Sequence, residues 1–327
     1  MRLRIATFNL ESLDDAPGLD PPLPRRLAVL RPILDRLDAD LLCLQEVNGQ
    51  LPGGRQPRQL LALDALLAGT PLGDFHRAAT PGPHGAPADR HNLVVLSRWP
   101  ILESRSLRHD LVPPPLYRPV TALPPSAAAA PVEWDRPILH AAIALPGGRR
   151  LDLLNLHLRA PLAAPVAGQK QSSFVWRSAA GWAEGFYIAA MKRTGQALEA
   201  RLLVDRLFDA DPDGLIAVAG DLNAEALETP VRAIQADAED TGNPALAGRS
   251  LSAVETGVPE AGRFSVLHHG RRLMLDHLLA SPALARCCRR TDILNEGLLD
   301  EYFAYLAGLH PAASFHAPVV AEFVLPD

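Results

Sequence analysis

Residues 215–224 read LIAVAGDLNA. The apolar run Leu215–Ala219 predicts a short buried strand, and Gly220 bounds it. Two polar side chains, Asp221 and Asn223, stand where that strand ends. Alone, Asp221 has a plain structural use as the cap of a following helix. The pattern recurs outward in both directions, and the recurrence decides the reading. Strand-like runs rich in Val, Ile and Leu cover Leu3–Leu10, Leu41–Val47, Leu93–Leu96, Ile138–Leu145, Leu151–Leu158, Leu273–Ala280 and Pro318–Leu325. Many of them end in a polar group: Asn9 in TFNLES, Gln45 and Glu46 in LLCLQEV, Asn155 and His157 in LLNLHLRAP. Asp276 and His277 lie within LMLDHLLAS, and His316 in SFHAPVV immediately precedes the last run.

Helical spacing separates some of these runs. PRRLAVLRPILDRLDA is amphipathic, with Pro32 as a point of kinking. RQLLALDALLAG and GQALEARLLVDRLFDA are cleaner. A hairpin signal, LPGGRRLDL, joins two strands in the middle of the chain. Helix-linked strands mixed with antiparallel hairpins predict an α/β fold, with two packed mixed β-sheets flanked by helices. Motifs lie on both sides of the proline- and alanine-rich stretch near 111–135. That stretch therefore reads as a long loop within a single 1–327 domain. A second irregular stretch, near 165–190, concentrates aromatic residues in a chain where these are only 5%. Trp176, Trp182 and Tyr187 are candidate substrate contacts there, on a flap or over a local mini-core.

Composition narrows the function. Hydrophobic residues make up 48% of the 327 and charged residues 21%, enough for a sizeable core. The net charge of -5 gives little support to a duplex-DNA binder, which usually carries a basic footprint. Lysine occurs only at Lys170 and Lys192, an Arg-for-Lys bias expected of a GC-rich bacterial genome. Cys43 reads as a core residue, and the adjacent Cys287 and Cys288 match no zinc spacing. A reducing, cytoplasmic setting is the expectation, with no membrane span.

Each polar strand end has a bland use in isolation: Asn as a turn former, Glu as a solvent-facing end. Asp276, between leucine-rich neighbours, needs a partner if buried, and histidine is a natural one. His277 should point the other way along the strand and be structural. Together the set has one chemistry. Hard oxygen donors suit Mg²⁺ or Mn²⁺. A carboxylate-paired histidine supplies a base near neutral pH. Asn and a second His can stabilise a charged phosphoryl oxygen. That is equipment for metal-assisted hydrolysis of a phosphate ester.

The ordered series TFNLES, LQEV, HNLVVLSRWP, NLHLRAP, GDLNA, LDHLLAS and SFHAPVV resembles the endonuclease/exonuclease/phosphatase superfamily, from Asn9 to Val320. The resemblance implies the deoxyribonuclease I-like fold, a four-layer α/β/β/α sandwich. It implies Glu46 and Asn9 as the metal site, and Asp221 and Asn223 as the pair that orients the nucleophile. It implies His157 as a phosphate contact and Asp276 as the partner of a catalytic His316. Asn92, Asn155 and Gln45 fall to supporting places, Asn92 in one motif with Ser97, and Arg136 to a structural one. The implied substrate is a phosphate ester, in nucleic acid or in a small molecule or lipid headgroup. One position departs from the pattern, where Phe315 replaces the usual Asp before the last histidine. Either metal binding rests on Glu46 and Asn9 alone, or Phe315 offers an apolar surface to substrate. The departure also raises a rival, a catalytically silent binding protein on the same fold.

Overall fold

The computed structural model describes residues 1–53, 56–82 and 84–326. Its main strands in chain order begin with β1 (Arg2–Leu13), β2 (Leu41–Val47), β3 (His76–Ala79), β4 (Asn92–Ser97), β5 (Ile101–Leu107) and β6 (Ile138–Leu145). They continue with β7 (Arg149–His157), β8 (Leu215–Asp221), β9 (Ser252–Ala253), β10 (Asp276–Ala280), β11 (Cys288–Ile293) and β12 (Val319–Val324). Four helices matter here: α1 (Leu23–Leu37), α2 (Leu61–Leu67), α3 (Ala179–Ala210) and α4 (Thr229–Gln235).

The strands form two six-stranded sheets, ordered β11-β12-β1-β2-β4-β3 and β9-β10-β8-β7-β6-β5. Each is antiparallel except for one pair: β1 with β2, and β7 with β8. Parallel neighbours need a crossover, and α1 and α3 supply it. Alternation along each strand then sorts side chains into layers. Leu3, Ile5, Cys43, Val95, Leu153 and Ala217 meet between the sheets. Phe8, Leu42 and Val94, from the opposite face of the first sheet, pack on Leu30 and Leu34 of α1. Leu154 and Val218 pack likewise on Ala200 and Val204 of α3 and Val231 of α4. Three apolar layers between four layers of structure give the expected α/β/β/α sandwich.

Some local expectations change. Pro32 does not interrupt α1; it lies on the exposed face, where water can meet the carbonyl it leaves unpaired. The run Leu273–Ala280 is not one strand. Arg271–Leu273 pairs with Val266–His268 as a small hairpin, and β10 starts afresh at Asp276. The Ser265 hydroxyl accepts the backbone N–H groups of Leu275 and Asp276 at that break. The stretch near 165–190 is not irregular throughout. Ser178 caps α3, accepting from the Gly181 N–H, and the helix runs unbroken from Ala179 to Ala210. Three glycines disguise this helix, because packing requires them. A Cβ at Gly181, Gly185 or Gly195 would lie 2.4–2.5 Å from Gln169, Ala164 or Trp134.

Candidate active site

On the faces turned toward the other sheet, strands change character along their length. In β1, Leu3 and Ile5 are followed by Thr7 and Asn9; in β7, Leu151 and Leu153 by Asn155 and His157; in β8, Ala217 and Ala219 by Asp221. β10 runs antiparallel to β8 and sets Asp276 opposite Asp221. The inter-sheet layer is thus oily over most of its length and polar at one end.

Glu46 reaches that end by a backbone irregularity. Simple alternation would aim it at the helix layer, like Leu44. The register of β2 shifts between Leu44 and Val47, and Glu46 takes a left-handed φ of 58°. Ser12, also left-handed, donates its N–H (2.9 Å) and hydroxyl (3.1 Å) to Glu46 Oε2. Asn9 Nδ2 spans Glu46 Oε1 at 3.3 Å and Asp221 Oδ2 at 3.1 Å. Left-handed φ values cluster here, at Glu11, Ser12, Glu46, His91 and Asn223, as strain often does at functional sites.

His316 Nδ1 lies 2.7 Å from Asp276 Oδ2, and its Nε2 3.8 Å from Asp221 Oδ2. Asp221, Asp276 and His316 each present a ligand atom within 4.8 Å of one another. His157 Nε2 lies 3.3 Å from Asp221 Oδ2 and 3.7 Å from Glu46 Oε1. Asn223 serves Asp221 twice, with its backbone N–H to Oδ1 at 2.9 Å and its amide to Oδ2 at 3.1 Å.

Burial pushes the Asp221 pKa up to about 7, against the pull of His316. Burial opposes the charge on His316 too, yet the Asp276 and Asp221 carboxylates hold its pKa well above the ordinary histidine value. Burial and then the positive charge of Arg136 push His157 well below it. Burial works to raise Glu46, but His91, His316 and Arg136 keep it below the usual carboxylate value. Neighbouring groups of the same type are thereby driven apart, a pattern common where acid–base chemistry is done.

The supporting residues bind the layers together. Gln45 Nε2 donates to Asn155 Oδ1 at 2.7 Å, and Asn155 Nδ2 donates to the Leu44 and Val94 carbonyls, from one sheet to the other. Asn92 holds the end of β2 through the Val47 carbonyl at 2.8 Å. His277 points away from the cluster, to Glu255 and the Ala224 carbonyl. Trp176, Trp182 and Tyr187 are not among the cluster's contacts. Lys170 lies over Trp176, Trp182 packs on Phe186 and Tyr187 on Tyr117. Phe315 offers no surface to a ligand; it is 1% exposed and packs beneath Tyr305.

Three residues join the site that strand endings do not flag. Arg136 lies 2.7 Å from His91 Nδ1, and its positive charge helps hold Glu46 below the usual carboxylate value. His91 stacks on His157 with ring centres 6.0 Å apart. Glu11 accepts from Tyr305 Oη at 3.3 Å, and burial and nearby Glu46 raise its pKa.

The family model described as "Endonuclease/Exonuclease/phosphatase family" matches residues 6–298. The chain belongs to the endonuclease/exonuclease/phosphatase family. This is a family of phosphoesterases and nucleases, and His316 lies beyond the matched residues. No curated protein matches the chain. Among solved structures, it is similar to truncated TDP2 of Caenorhabditis elegans, with 16% identity, a TM-score of 0.57, and 98% of this chain and 97% of that one covered. It is similar to a Bacteroides thetaiotaomicron endonuclease/exonuclease/phosphatase family protein, with 13% identity, a TM-score of 0.60, and coverage of 100% and 96%. An AP endonuclease from Archaeoglobus fulgidus follows at 16% identity, a TM-score of 0.51, and coverage of 99% and 100%. At these identities the likeness speaks for the fold, the deoxyribonuclease I-like sandwich.

The donor set at Glu46 fits a hard divalent cation. The carboxylates of Glu46 and Asp221 converge there, bridged by the Asn9 Nδ2, with no thiol among the site residues.

Proposed function

We propose that this family member hydrolyses a phosphate ester by in-line attack of water, with Mg²⁺ or Mn²⁺ bound at Glu46 beside Asn9. The observation that carries this reading is the Asp276–His316 pair at 2.7 Å, set beside Asp221 at the polar end of the sandwich. The cation, when bound, polarises the phosphate and offsets its charge. The remaining work falls to this chain's side chains. His316, kept protonated by two carboxylates, donates to the phosphoryl or leaving oxygen as charge develops there. Asp221, its pKa raised by burial, takes the proton of the attacking water. Asn223 fixes Asp221 by two hydrogen bonds and so orients the base. His157, held neutral, offers an uncharged N–H to the same site. This assignment gives the base to Asp221 and the cationic role to His316. The reading takes residues 1–327 as one catalytic domain, because the first sheet draws strands from both ends of the chain.

The test is hydrolysis of bis(p-nitrophenyl) phosphate in EDTA, Mg²⁺ and Mn²⁺, with wild type beside His316→Ala. Metal-dependent turnover that falls about 10³-fold in the variant is expected. Nucleic-acid, lipid-headgroup and monoester substrates, run in parallel, separate the substrate classes. Unimpaired turnover in His316→Ala, or no metal-dependent turnover on any of these, overturns the reading.

A further inference from the structure

α3 is longer than the sheet it covers. Its 32 residues extend about 48 Å, whereas the seven residues of β8 extend about 23 Å. Arg193 Nη1 donates to the Asn223 carbonyl at 2.6 Å, which places the middle of α3 at the catalytic end of the sheets. Beyond that contact the helix changes partners. Ala197, Ala200, Val204 and Phe208 pack on the second sheet. Ile188 and Ala189 pack instead on Ala122, Val132, Ala164 and Val166, from the segments before and after the central strands. The first turns of α3, about 20 Å of helix, therefore carry a lobe beside the mouth of the site. Glu184 anchors it, accepting from the Tyr117 and Thr121 hydroxyls and from the Val120 and Thr121 N–H groups.

The outer surface of this lobe is unusual for a soluble face. Phe174 is 93% exposed, Val120 76% and Leu162 68%; Trp182, Phe186 and Tyr187, on the first turns of α3, are exposed as well. Its charge is one-sided as well. Residues 111–132 and 160–191, all of them described, contain a single acidic residue, the buried Glu184, and the acids that flank them, Glu133 and Asp135, are paired with Arg108 and with Arg159 and Lys192. The same segments contain Arg118, Lys170 and Arg177, all exposed.

We propose that this lobe is a docking surface for an anionic lipid bilayer, which seats the catalytic end of the protein at the membrane–water interface. Aromatic rings with aliphatic neighbours partition into the headgroup and acyl boundary, and cations in excess of acids add attraction to anionic headgroups. The exposed Val and Leu side chains favour a bilayer over single-stranded nucleic acid, which would use rings for stacking and a denser basic track. No helix among the described residues is long and apolar enough to cross a membrane, so the contact is interfacial.

The experiment is co-sedimentation of the whole chain with vesicles of phosphatidylcholine, and of phosphatidylcholine and phosphatidylglycerol in equal parts. A Phe174→Ser/Val175→Ser/Phe186→Ser variant and a Lys170→Glu/Arg177→Glu variant run beside wild type. Wild type should bind the anionic vesicles, and the first variant should bind at least about tenfold more weakly. The second should lose the preference for phosphatidylglycerol. These side chains are exposed, and an unchanged melting temperature verifies that both variants fold. Wild type left in the supernatant with both vesicles overturns the proposal, as does undiminished binding by the first variant. Binding of a single-stranded oligonucleotide in place of vesicles, lost in that variant, assigns the surface to nucleic acid and overturns it too. Because sedimentation reads no chemistry, a failure here leaves the proposed hydrolysis standing, and an inactive enzyme leaves the docking standing.

Discussion

Asp221 holds its charge against burial. It is buried beside a second carboxylate, Asp276, and its folded pKa of about 7 lies above its ordinary 3.8. The folded state therefore binds this proton more tightly than the unfolded chain does. The resulting stabilisation is complete below about pH 3.8 and is lost as pH rises through about 7. Asp221→Asn lacks an ionisable group there. In EDTA its melting temperature should exceed that of wild type at about pH 8.5, by the equivalent of about 1–3 kcal/mol, with the gap narrowing toward about pH 5. Thermal melts of both proteins across pH read this directly; a gap independent of pH would contradict it. At this scale much of the site is legible in sequence. Asn9, His157 and Asp221 follow from strand alternation, since each continues the inward face of an apolar run. Glu46 does not follow from it, because only a shift in register turns it inward. His91, Arg136 and Glu11 lie outside the strands' alternating rows or at left-handed residues, and no periodicity encodes where such side chains point.

Among the elements, the parallel pair β7–β8 sets the closest tolerance. Gly220 pairs with Leu156 at a φ of +145°, and an added Cβ would stand 1.9 Å from the Leu156 carbonyl oxygen. The glycine in GDLN is thus a requirement of strand approach, one residue before Asp221. Gly220→Ala should destabilise the protein by about 3 kcal/mol or more, through forced separation of the two strands and an unfavourable φ. Chemical denaturation measures it, and a loss under about 1 kcal/mol would mean that the strands part freely. Strand existence was readable from apolar runs bounded by Gly, Pro, Asp or Asn. The full length of α3 was not. Its early turns are rich in glycine that local propensity counts against a helix, while tertiary contacts demand it.

Across the whole molecule, cation binding and folding should be linked. The carboxylates of Glu46 and Asp221 come together only when both sheets have closed, so a cation at Glu46 favours the folded state. Free cation at about 100 times its dissociation constant would add about 2.7 kcal/mol. Wild type should melt higher in Mg²⁺ or Mn²⁺ than in EDTA, and Glu46→Gln should lose most of that gain. Equal shifts in the two proteins would place the cation elsewhere. The fold at this scale was legible from the order of its motifs along the chain. The overhang of α3 was not, because it depends on where one helix meets one sheet edge.

The pairing of β12 with β1, Arg2–Thr7 against Val319–Val324, also orders events in time. A ribosome delivers β1 about 300 residues before its partner, and His316 emerges only just ahead of β12. During synthesis the first sheet lacks a strand that sits between β1 and β11, and Asp276 lacks its partner His316. If the site hydrolyses as proposed, that activity arrives with the closing strand, and a nascent chain stopped before residue 316 has neither a complete first sheet nor the Asp276–His316 pair.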